Sequence, residues 1–314
     1  MPNVKVDLFA DYQRKASGWA RANALSGNLK IKGFGKQQDR VESWLRAHSF
    51  GSTIENMHQR IEARPRKVHL CENFIVPDEC KKDVESIFEI VRSGGDLTQF
   101  LGNNIRKLGA TDNLLNVWGI FHFHMKPFQQ RIPGEDNSLL FAYVTDDAFY
   151  VVGFGGHDCL HNTDIIKTLQ RECPHAFPEC SEDAVADVDS NAYACLRKNN
   201  INAIVSVNGV ACLPAGGGVN FNGESTKAYC EMVYLRSRFD KFSKILQQRF
   251  LLDIRGFDEC HEDSMHIESV SLRLLNMTSN GLVLDCPELG VVVAYRIENE
   301  GLRLLSVCTS GQIC

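Results

Sequence analysis

The chain has 314 residues, 44% of them hydrophobic and 23% charged. That is room for one large or two ordinary domains, and it excludes a disulfide-stapled miniature, wholesale disorder and fibrous architectures. The net charge of −5 hides an asymmetry: residues 1–70 carry 13 Lys and Arg against 6 Asp and Glu, a net of +7, so the remainder carries −12. No apolar run reaches the ~18 residues of a membrane helix, and Met1–Asp7 has no hydrophobic signal core. The expectation is therefore a cytoplasmic protein with no membrane partner. Twelve cysteines run from Cys71 to Cys314 without a C-x-x-C pair, which reads as mostly reduced, buried thiols.

In chain order, periodicity predicts helices over 7–24 and 38–48, punctuated by Gly27, Gly33, Gly35 and Gly51. The cations of this region, from Lys5 to Lys67, interleave with Trp19, Phe34 and Trp44, the pattern of a nucleic-acid footprint or of solvated helix surfaces. A helix is expected over 78–93, with Val84, Ile87, Phe88 and Val91 on one face, and another over 96–108 after Asp96. The period then changes to two. Residues 117–125 read as a strand with Ile120, His122 and His124 on one side and Phe121, Phe123 and Met125 on the other. Strands over 138–145 and 148–154 follow around an Asp146-Asp147 turn, then a helix over 163–172.

Pro174, Pro178 and the acidic run Glu179–Asp189 mark a boundary. Beyond it come a helix over 189–199, a hairpin turned by Asn208-Gly209, and a helix over 224–250 burying Tyr229, Met232, Val233, Phe239, Phe242 and Leu246. The tail reads as strands separated by Asn280-Gly281, Pro287–Gly290 and Asn299–Gly301. The fold class expected is α+β: N-terminal helices followed by an antiparallel sheet, plus a second α+β domain with a long helix and a C-terminal meander. Its divisions are a basic helical segment (1–75), a helix-plus-sheet domain (76–178) and a second domain (179–314).

Two histidines on one strand face, with His157 at the end of the third strand, form a set suited to acid–base work, because imidazole titrates near neutrality. Cleaving RNA through its 2′-hydroxyl requires such a set and a cation for the phosphate, for which Lys126 and Arg131 follow the strand directly. The same region offers a second chemistry: His122, His124, His157, Cys159 and His161 carry zinc-ligating atoms, and three ligands would leave a position for an activated water. The loop Gly216–Ser225 resembles a phosphate loop in its glycines, but Glu224 stands where a lysine belongs, so it reads as a tight strand-to-helix connection. No G-x-S-x-G elbow occurs, and no Cys–His pairing is recognisable in the sequence.

The run Arg131-Ile132, Leu139–Val144, an acidic turn, Phe149–Phe154 and His157, preceded by helices, resembles the core of RelE/HigB-type ribonuclease toxins. The resemblance covers residues 80–160. It implies a metal-independent, toxin-like endoribonuclease, with Arg131 contacting phosphate, His157 in an acid–base role and a setting in antiphage defence. This chain adds the His-x-His strand and a large second domain. The expectation is thus RNA cleavage by His122, His124 and His157 without a cofactor. Its alternatives are a non-catalytic module that binds a protein partner through the C-terminal domain, the histidines being structural, and a zinc-dependent hydrolase.

Overall fold

The computed structural model describes residues 3–25, 50–72, 74–107, 109–132, 137–178, 189–202, 204–255, 268–278, 280–299 and 301–309. The helix expected over 38–48, the cations from Lys30 to Arg46 and most of the acidic run 179–189 lie outside these residues. The fold is α+β, with helices and sheets in both of its compact units. One unit is Met1–Trp19 with Glu231–Cys314, the other Ala20–Cys230. This division differs from the expected boundaries after residues 75 and 178.

The reason lies at the N-terminus. Strand β1 (Asn3–Val6) pairs in parallel with β8 (Ser269–Met277), Val4 opposite Val270. Helix α1 (Leu8–Leu25) follows, and its Asp11 Oδ2 accepts from the backbone N–H of Leu274 at 2.8 Å. Strands β9 (Gly281–Cys286), β10 (Val291–Glu298) and β11 (Gly301–Thr309) complete a five-stranded sheet in the order β1-β8-β9-β10-β11. Phe239, Phe242, Leu246, Phe250 and Ile254, a helical stripe on the long C-terminal helix Thr226–Ile254, bury against it. Tyr229 and Val233, expected in that stripe, are exposed. They sit a turn or more before the stripe begins.

The second unit carries the site. Its elements are α2 (Phe50–His58), β2 (Lys67–Leu70), α3 (Lys81–Ser93), α4 (Asn113–Trp118), β3 (Ile120–His124), β4 (Leu139–Val144), β5 (Ala148–Gly155), α5 (Thr163–Glu172), α6 (Ser190–Lys198) and the hairpin β6 (Val205–Val207) and β7 (Val210–Cys212). The main sheet has the order β2-β5-β4-β3 and is sandwiched between two apolar layers. Val84, Ile87, Phe88 and Val91 of α3 cover Phe123, Leu140, Ala142, Phe149 and Val151. Ile165, Ile166 and Leu169 of α5 cover Ile120, Leu139, Phe141 and Val152. Each fully buried Leu or Phe contributes ~1.5–3 kcal/mol, so β4, buried on both faces, anchors the sheet.

Two expectations change here. The strand expected over 117–125 begins only at Ile120, because Asp112 caps a short helix through Leu114 N–H and Leu115 N–H, and Gly119 at φ 70° ends it. The helix expected over 96–108 is two 3₁₀ turns, Thr98–Phe100 and Asn103–Arg106, separated by Gly102 in extended backbone. Asp96 Oδ1 accepts from Thr98 N–H, which closes a local turn in place of a helix cap.

Candidate active-site cleft

Strand β3 is the edge of its sheet, and position decides what its side chains can do. Leu101 forms an isolated bridge to Phe123, so the two 3₁₀ turns lie along that edge. The other wall comes from β5. Gly155 ends this strand and Gly156 follows it, and a Cβ on Gly155 would lie 2.4 Å from Cys159 Sγ, so glycine there gives the 3₁₀ turn His157–His161 room to fold back without moving that side chain.

The result is a cleft of about 390 Å³ lined by residues that include Gly102, Asn103, Asp112, His122, His124, His157 and Arg197. The three histidines expected to act together are together: ring centroids are 6.1 Å apart for His122 and His124 and 5.4 Å for His124 and His157. His124 is buried, His122 mostly so, and His157 is exposed at the mouth. Asp112 Oδ2 lies 3.3 Å from His122 Nδ1, within ion-pair distance but off the line of a hydrogen bond. His124 Nδ1 is buried with no hydrogen-bond partner among the described residues. A buried orphan of this kind calls for a partner that enters the cleft.

Electrostatics separates the two inner histidines. Burial is the main cause holding the His122 imidazole below its ordinary 6.5; Asp112 opposes that effect, while His157, Arg131 and Arg197 add to it. His124 is held down to about 3, again by burial first, then by Arg131, His122 and His157. Both are therefore neutral at pH 7.

Lys126 and Arg131, expected to hold phosphate, do not line the cleft. Lys126 is exposed beyond the end of β3. Arg131 stacks over Phe128, its centre 4.6 Å from the ring centroid, and donates to the carbonyls of Lys126 and Gln99 at 2.8 and 2.9 Å. It fastens the turn and acts on the histidines through its field. The cation in the cleft wall is Arg197, which donates to the Leu160 carbonyl at 2.7 Å and lies over Tyr193. Sequence reasoning missed Asp112, Gly102 and Arg197. Asp112, before Asn113-Leu114-Leu115, carried a legible capping signal, whereas nothing local marks the other two.

Among the described residues no group of three or more His, Cys, Asp or Glu is arranged to hold a metal ion. Of the zinc-ligating set expected, His122, His124, His157 and Cys159 by themselves form no such group, and the side chain of His161 lies outside the described atoms. A Cys–His contact does exist, Cys173 Sγ to His175 Nε2 at 3.2 Å, but Cys173 is fully buried and burial pushes its thiol up, the reverse of an activated nucleophile. In the glycine loop, Gly216 and Gly218 donate to the carbonyls of Val117 and Asn116, and a Cβ on Gly216 would lie 2.3 Å from the Leu115 carbonyl oxygen. Those amides bind backbone, as a packing loop requires.

Among the described residues no helix is long and apolar enough to cross a membrane. Comparison of the chain with protein-family models, with curated proteins and with solved structures finds no match.

Proposed function

We propose that the chain is an endoribonuclease that opens RNA by attack of a 2′-hydroxyl on the neighbouring phosphorus. The observation that carries this reading is the convergence of His122, His124 and His157 in one cleft. His122, neutral and backed by Asp112, takes the 2′-hydroxyl proton. The 2′-oxygen bonds to phosphorus, the bond to the 5′-oxygen breaks, and His157, at the mouth of the cleft, gives a proton to that leaving oxygen. The products are a 2′,3′-cyclic phosphate and a 5′-hydroxyl. His124 stays neutral and donates a hydrogen bond to a non-bridging oxygen, and Arg197 offsets the developing charge.

Two proton transfers are all this reaction requires, and the imidazoles supply both, so the reading needs no cofactor. The resemblance to RelE/HigB-type toxins supports the same substrate and a toxin-like, defence-associated role. The test is induced expression in bacteria of wild type beside a His122, His124, His157 triple-Ala variant, with total RNA and its termini analysed, and the purified protein assayed with and without EDTA. Wild type alone arresting growth, with RNA ending in cyclic phosphate and EDTA without effect, supports the reading. Intact RNA from both overturns catalysis on RNA and favours a protein-binding module; cleavage abolished by EDTA overturns the metal-independent mechanism and favours zinc.

A further inference from the structure

A second cleft, of about 400 Å³, opens beside the first. Its lining includes Arg60, Arg66, Tyr143, Asp146, Glu62 and Lys227. Leu115 and Phe121 line both clefts, so the two meet at the sheet edge with the half-buried Phe121 ring between them.

The charges of the second cleft favour an anion. Its carboxylates, Glu62 and Asp146, are both ion-paired with Arg64. Arg66 is buried and fixed by the carbonyls of Thr145 and Glu62, at 2.7 and 2.8 Å, and retains its charge. Arg60 is half-buried on the same wall, and Lys227 is exposed on the rim with no paired carboxylate among the described residues. Backbone phosphates bind such cations without regard to sequence, and an aromatic face between two phosphate-binding stations suits an unstacked base.

We infer that the two clefts form one groove for single-stranded RNA, in which Phe121 stacks a base and Lys227 with Arg60 holds the phosphates flanking the scissile one. A duplex does not fit this arrangement, because its bases are not available for stacking against a recessed ring. The inference rests on the proposed cleavage reaction for its choice of RNA, and it names the part of the substrate that lies outside the histidine cleft.

The experiment uses an eight-nucleotide 2′-O-methyl RNA, which lacks the attacking hydroxyl and is bound without being cut. Its affinity for the full chain is read by fluorescence anisotropy across salt concentrations, for wild type, Lys227→Glu, Phe121→Leu and, as a charge-matched control away from both clefts, the exposed Lys82→Glu. The expected result is about tenfold weaker binding for Lys227→Glu with a salt slope shallower by about one phosphate, about tenfold weaker binding for Phe121→Leu, and no change for Lys82→Glu. Equal binding by wild type and Lys227→Glu, or equal affinity for duplex RNA of the same length, overturns the groove. Lys227-dependent binding without any cleavage of natural RNA leaves the groove standing and sinks the cleavage reading. Cleavage without Lys227-dependent binding does the opposite.

Discussion

Asp112 divides its carboxylate between two tasks: Oδ1 caps α4 through Leu114 and Leu115, and Oδ2 faces His122 Nδ1 at 3.3 Å. One side chain thus ties the start of a helix to the orientation and charge of an imidazole on the next strand. Asp112→Asn keeps an oxygen for the cap, as Asn is an equally good N-cap residue, but loses the charge that favours His122 imidazolium. The expected outcome is unchanged thermal stability and RNA cleavage slower by about 10²-fold. Asp112→Ala loses cap and charge together, so it adds a loss of about 1 kcal/mol in denaturant unfolding. Equal rates for wild type and Asp112→Asn would remove Asp112 from the mechanism.

Gly102 is required by access more than by backbone conformation. Its φ of −59° and ψ of 149° suit any residue, yet a Cβ there would lie 2.9 Å from His122 Nε2, the ring atom turned away from Asp112. Gly102→Ala is expected to leave the melting temperature within about 2 °C of wild type, as for a benign surface change, while cleavage falls at least about tenfold through the blocked or rotated ring. Single-turnover kinetics separates this loss of chemistry from loss of binding.

The histidine trio was legible because period two is a strong local signal: His122 and His124 must share a face whatever lies around them. His157 could be added because an antiparallel meander returns the chain to the same end of the sheet. What closes the cleft was not legible. Gly102 arrives from 3₁₀ turns with no periodicity of their own, delivered by the Leu101 bridge to the strand edge, and Arg197 from α6, a helix legible in the sequence whose packing beside the cleft was not. Strands β1 and β2 were also missed. Each has four residues, too few for a period, and both are parallel partners whose pairing with residues far along the chain leaves no turn signature. The compact units depart from the expected boundaries for that reason, since Val4 pairs with Val270 across 266 positions of sequence.

The pH dependence of stability follows from the buried imidazoles. His124 is depressed from 6.5 to about 3 in the folded chain, with His122 shifted in the same direction. Between those values the unfolded chain takes up protons that the folded one refuses, so stability is full above about pH 6.5 and declines as pH falls toward 3. Wild type is expected to lose more melting temperature between pH 7 and pH 4 than His124→Gln, which has no such proton to take up. Parallel curves for the two proteins would show that His124 is not held neutral by its burial.

Glu55 of α2 is a structural carboxylate that no sequence pattern announced. It is buried, its Oε1 accepts from Asn116 Nδ2 at 2.5 Å and its Oε2 from the backbone N–H of Ser225 at 3.1 Å, so it joins α2 to α4 and to the end of the glycine loop. Burial raises its carboxyl above the usual range, against the opposing pull of those two hydrogen bonds. Its ionisation is thus harder in the folded chain than in the unfolded one, and its contribution to stability is full at low pH and declines as pH rises through the raised folded value. Glu55→Ala leaves the Asn116 amide and the Ser225 N–H buried without an acceptor, and is expected to cost about 3 kcal/mol in denaturant unfolding. Glu55→Gln keeps one acceptor but sets an NH₂ against a donor, and costs about half as much. Since Asn116 and Ser225, which Glu55 holds, line the second cleft, and Leu115, the neighbour of Asn116, lines both, hydrogen exchange at Leu115 and Gly216 is expected to accelerate in Glu55→Ala before global unfolding. Unchanged exchange at those amides, with unchanged stability, would mean that the loop is held by its backbone hydrogen bonds alone.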